Sequence, residues 1–184
     1  MASNGGSNAI EANSLATKTA YKNFFVSQVI LRSVAFMSTI ASICVMVNSR
    51  QSTEVFGIVL QAKYNYSSAF RFLLGTNIAI CAFSVFSLIT TCAFYRPKSN
   101  CKSYFSVFLQ DLIAMVLMMA GCAAATAIGY VGKFGQNQTG WTKICDNVNK
   151  FCNYITISIA FSYLAFFCLF ALTIMAFKRA QQAK

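Results

Sequence analysis

Four long apolar runs, Phe24–Val47, Phe70–Phe94, Tyr104–Tyr130 and Tyr154–Phe177, alternate with short polar stretches along this chain. About 20 apolar residues rising ~1.5 Å each as a helix cross a hydrocarbon core of ~30 Å, so every run is long enough to span a bilayer. The pattern predicts an all-α fold: an integral membrane four-helix bundle occupying residues 24–177. The links between runs are too short for a separate soluble domain. Residues 1–23 precede the first span without the basic, short-apolar pattern of a cleaved signal peptide, so that span is expected to act as an uncleaved anchor. Their Ser, Asn and Ala content reads as a disordered tail, and residues 178–184 form a second, short one.

Composition agrees with a membrane protein. Hydrophobic residues are 57% of the chain and charged residues 10%, against roughly 25% charged in soluble domains. The loops suggest an orientation. With both termini inside, Lys18, Lys22, Arg96, Lys98, Lys102, Lys178, Arg179 and Lys184 are cytoplasmic, while Arg50, Lys63, Arg71, Lys133, Lys143 and Lys150 are outside. The denser inner set follows the positive-inside rule. The net charge of +11 then reads as attraction to anionic lipid head groups. Nucleic acid is not an expected partner, because the charges are scattered over separate segments and not gathered in one patch.

Two N-glycosylation sequons, Asn65-Tyr66-Ser67 and Asn137-Gln138-Thr139, fall one in each expected outer loop. Asn137, flanked by Gly135 and Gly140, is the better acceptor; Asn65 stands close to the second span. Cysteines divide in the same way. Cys44, Cys81, Cys92, Cys122 and Cys168 lie in spans, where a free thiol behaves as a small apolar residue. Cys145 and Cys152 share the second outer loop, where an oxidising compartment is expected to couple them, a bridge worth on the order of 2 kcal/mol.

Two ionised residues interrupt the apolar runs: Arg32 in the first and Asp111 in the third. A charge near the centre of a membrane helix costs roughly 2.5–3.5 kcal/mol on insertion scales, and tends to be retained when it has a partner. Both runs head the same way across the membrane. Arg32 lies ~12 Å beyond Phe24 and Asp111 ~10 Å beyond Tyr104, hence at nearly one depth. A long guanidinium can reach the carboxylate even across the diagonal of a bundle, so a structural ion pair is expected, either within one chain or between copies. Snorkelling of Arg32 to the head groups is the competing reading.

The third run also carries small residues, Gly121, Ala125 and Gly129, at every fourth position. That spacing lets helices approach closely in lipid and is expected to serve association between copies. Phe161, Phe166, Phe167 and Phe170 of the fourth run are expected to face lipid or to pack between helices.

Enzyme chemistry finds no support. The chain has no His and only four acidic residues, Glu11, Glu54, Asp111 and Asp146, with no nearby carboxylate pair. It has no phosphate-binding Gly-rich loop and no Gly-x-Ser-x-Gly elbow. No catalytic residue, metal site or cofactor is expected.

Several of these motifs occur together in a known family. Arg32, Asp111, the first-loop segment Tyr64–Leu73, Ala120–Ala124, Trp141, Ile144-Cys145 and Lys150-Phe151-Cys152 make the chain resemble the plant Casparian strip membrane protein-like (CASP-like) proteins, relatives of the MARVEL tetraspan proteins. The likeness runs from about Val29 to Lys178. It implies four spans, cytoplasmic termini, plasma-membrane residence, and homo- and hetero-oligomers with related family members. It further implies a scaffold that organises a membrane domain and recruits extracellular wall-modifying enzymes. A small channel or transporter subunit, with Arg32 and Asp111 lining a polar path, is the alternative. Claudins place their Trp and Cys pair in the first outer loop, and tetraspanins carry a Cys-Cys-Gly motif and a larger second loop; this chain has neither arrangement.

Overall fold

A chain in lipid must satisfy its backbone polar groups internally, and helices do so within one segment. The computed structural model describes residues 5–55, 58–93, 101–135 and 140–182. It is an all-α bundle of four helices: α1 (Gly5–Val47), α2 (Ser68–Ala93), α3 (Cys101–Phe134) and α4 (Asn149–Gln182). All four are long and apolar enough to cross a membrane, over Lys22–Val47, Ser68–Thr90, Ser106–Phe134 and Asn149–Lys178. The sequence runs locate each span within a few residues. The largest shift is at α4, whose apolar helix starts five residues earlier than expected because it begins inside the disulfide loop.

Consecutive helices pack against one another, and α1 also lies against α4. The order around the bundle is therefore 1-2-3-4, with α1 and α3 on a diagonal. Buried side chains along the axis include Met46, Leu73, Ile80, Met118, Cys122, Ala125, Ala165 and Leu172. The outward faces are also apolar, with Ile30, Met37, Phe86, Ile89, Val116, Phe167 and Phe170 exposed. A helix apolar all round suits a bundle whose outside contacts hydrocarbon. Phe166 packs on the core, whereas Phe167 and Phe170 look outward.

Two elements differ from the sequence reading. Helix α1 begins at Gly5, within the segment read as a disordered tail. Ala9, Glu11, Ala12, Leu15 and Ala16 favour helix, and the adjoining span already supplies the costly nucleus. The segment between α1 and α2 contains an antiparallel hairpin of β1 (Gln51–Val55) and β2 (Ile58–Ala62), with Gln51 opposite Ala62 and Val55 opposite Ile58. A 3-10 turn, Tyr64–Tyr66, then leads into α2.

Candidate functional site: two buried polar layers

The interior of the bundle is not uniformly apolar. Its buried polar side chains that bond from helix to helix fall at two levels, Arg32 and Ser42 being ten residues apart on α1, or ~15 Å.

The first level is charged. Arg32 on α1 and Asp111 on α3 meet across the diagonal: Nη1 donates to Oδ1 at 2.9 Å and Nη2 to Oδ2 at 2.7 Å. Their side chains are 2% and 3% exposed, so neither reaches the bundle surface. Two parallel charge-assisted bonds fix both distance and orientation, which a single contact does not. Ser87 of α2 accepts a further bond from Nη1, and Gln28, one turn before Arg32, accepts from Nη2 at 3.4 Å. Only Nε of this guanidinium is without a partner among the described residues. Three helices thus converge on one cation, inside one chain, and Arg32 does not snorkel. Gln28 and Ser87 were not anticipated. Gln28 is legible afterwards as the i−4 neighbour of Arg32 on the same helical face.

The second level is neutral. Ser42 of α1 lies between Ser158 and Ser162 of α4, with Oγ–Oγ distances of 2.9 and 2.8 Å. Ser42 also donates to the Ser158 carbonyl and Ser158 to the Ser42 carbonyl, both at 3.0 Å. Asn77 of α2 donates from Nδ2 to Ser162 Oγ at 3.0 Å and to the Leu73 carbonyl at 2.9 Å. All four residues are buried. Serines four apart present a small, polar stripe that lets two backbones close together and bonds them once they have.

The small residues of α3 have a different role from the one expected. Gly121 and Ala125 are buried inside the chain. A Cβ built at Gly121 would stand 2.6 Å from Thr76 Oγ1 and 3.3 Å from Leu73 Cδ1, so this glycine seats α3 on α2. At Gly129 the nearest atom is Ile159 Cδ1 of α4, at 3.8 Å. Gly121 and Ala125 are taken up by packing within one chain and are not available to a second copy, whereas Gly129 is half-buried.

At the loop end, Cys145 and Cys152 are joined by a disulfide, with Cα atoms 5.8 Å apart. Helix α3 closes through Gly135 at φ 70°, a left-handed conformation suited to glycine. The carbonyl of Gly132 accepts from the amides of Ile144 and Cys145, at 3.1 and 3.2 Å. Gln51 of β1 accepts from the amide of Phe151 at 2.9 Å, satisfying one of the unpaired donors of the α4 N-terminus. Asn65 is exposed in the 3-10 turn, three residues before α2. Asn137 lies outside the described residues.

Residues 22–168 match the family profile of the Casparian strip membrane protein domain. This chain belongs to the CASP-like family. Arg32, Asp111, the layer of Ser42, Asn77, Ser158 and Ser162, and the disulfide loop all fall within the matched region. CASP-like protein 1F2 of Ricinus communis is 50% identical over 155 residues, covering 83% of this chain and 77% of the relative. CASP-like protein 1F2 of Vitis vinifera is 45% identical over 173 residues, covering 94% and 90%. CASP-like protein 1F1 of Arabidopsis thaliana is 39% identical over 154 residues, covering 84% and 89%. No solved structure matches the chain.

Proposed function

We propose that this CASP-like chain is a non-enzymatic plasma-membrane scaffold. In this reading both termini are cytoplasmic and the hairpin and disulfide loop face outward. It self-associates, forms mixed oligomers with related family members, and organises a membrane domain at which extracellular wall-modifying enzymes gather. The supporting observation is how the polar groups of the spans are used. Arg32 and Asp111 engage each other in a bidentate pair at 2–3% exposure. The serine layer is likewise bonded within the bundle. Charges held this way lock helix positions; a charge lining a conducting path needs contact with water or ion. The outward faces are left apolar, suited to lipid and to neighbouring copies. The orientation in this reading rests on the denser basic residues in the sequence segments assigned to the cytoplasmic side.

Photobleaching of a tagged copy at native expression tests the scaffold reading. Slow, incomplete recovery in plasma-membrane patches is expected, with energy transfer between differently tagged copies. Free diffusion of a monomer contradicts it, and cation or anion flux in proteoliposomes promotes the channel alternative.

A further inference from the structure

A cleft of about 500 Å³ opens at the loop end, between the start of α2, the end of α3 and the start of α4. That volume lies within the ~300–1,000 Å³ typical of small-molecule sites. Its walls include Phe70, Val148 and Ile155, all buried, with Ile128 and Ile159 deeper along α3 and α4. The α3 wall carries two glycines among its lining residues. A Cβ at Gly132 would meet no atom within 4 Å, and one at Gly129 would face Ile159, which also lines the cleft. Side chains at these two positions would occupy space the glycines leave open.

The polar lining is one-sided in charge. Lys63 and Lys133 line the cleft, and among the described residues no carboxylate does. Neither lysine forms an ion pair among those residues; Lys133 Nζ stands 5.8 Å from the centroid of the Phe134 ring. Trp141, exposed, also lines the cleft, and an indole favours the membrane–water interface. Ile128 and Ile159 lie well inside the membrane-spanning parts of α3 and α4, while Lys133 is the penultimate residue of the α3 span and Lys63 lies before α2. The cleft is therefore apolar toward the membrane interior and cationic toward its surface.

We propose that this cleft holds the acyl chain of an anionic membrane lipid, with Lys63 and Lys133 pairing its acidic head group. A free anion would leave the apolar walls unused, and an uncharged lipid would leave the two lysines unpaired. The proposal does not depend on self-association, so a monomeric protein would not undermine it. Its consequence for a scaffold is that each copy carries an anionic lipid at its outer rim.

The test uses the full chain in nanodiscs doped with lysophosphatidic acid bearing a diazirine on its acyl chain. Lysophosphatidylcholine with the same chain serves as the zwitterionic probe. Crosslinks mapped by mass spectrometry are expected at residues 128–133 and 155–159. The anionic probe should label them about thirtyfold more than the choline probe, since each of the two lysines near a membrane surface favours an anionic group about fivefold. Gly129→Phe should abolish the cleft labelling. Lys63→Gln/Lys133→Gln should reduce the anionic probe to the level of the choline probe. The lysine variant changes surface side chains, so it decides the matter if Gly129→Phe fails to fold. Equal labelling by the two probes, labelling spread evenly over all four helices, or insensitivity to the lysine variant overturns the proposal.

Discussion

The two polar layers of the bundle do the same job with different chemistry. The Arg32–Asp111 layer joins α1 to α3 across the diagonal, between helices that are not neighbours around the bundle, through a long guanidinium side chain and a short carboxylate. The Ser42–Ser158–Ser162–Asn77 layer joins α1, α4 and α2, through short neutral groups and backbone carbonyls. Distance selects the chemistry. A guanidinium spans a diagonal that a hydroxyl cannot, whereas serines let neighbouring helices close until hydroxyl meets hydroxyl. The costs of failure differ as well. An orphaned charge in a low-dielectric interior has no cheap alternative, while an orphaned serine can turn to a carbonyl of its own helix, as Ser38 does at Val34 and Thr173 at Leu169.

That contrast fixes the order of expected mutational effects. Arg32→Leu or Asp111→Leu should have the largest, about 3–5 kcal/mol, because each leaves the other charge buried and unpaired. Loss of surface expression and early melting in detergent would register it; near-normal stability of either single variant would mean that water reaches the site. Gly121→Leu should come next, at about 1–3 kcal/mol for overpacking against Thr76 and Leu73. Its signature is destabilisation of the isolated monomer. A stable monomer with reduced energy transfer between copies would instead return Gly121 to an intermolecular interface. Ser162→Ala should have the smallest effect, about 0.6 kcal/mol and at most ~1.7, the range measured for interhelical hydrogen bonds in membranes. A loss comparable to that of Arg32→Leu would show the neutral layer to be as essential as the charged one.

The two layers also differ in how far they can be read from sequence. A charge inside a long apolar run is rare, and residue counts from the run's edge give its depth, so Arg32 and Asp111 identify each other. Neutral polar residues are common in spans and bond their own backbone as readily as a neighbour, as Thr39 does at Phe36. Nothing in Ser42, Ser158 or Ser162 alone marks which of them face one another. The small residues of α3 were legible as a packing face, but not whether its occupant is α2 of the same chain or a second copy. The four spans are set by length and hydropathy. The β1–β2 hairpin rests instead on a Thr/Val/Ile-rich stretch of loop, a weak local signal beside the apolar runs flanking it.

The most direct measurement is made on the double variant Arg32→Leu/Asp111→Met, which replaces both ions with apolar groups. A buried pair exchanged as a unit for packed apolar residues is commonly neutral or stabilising, by ~1–4 kcal/mol in known cases. If the pair is a structural lock in a non-conducting scaffold, the double variant recovers the surface expression lost in each single variant, and its photobleaching recovery in the plasma membrane stays slow. A double variant no better expressed than the single ones, or one that folds and reaches the surface but diffuses freely, contradicts that role.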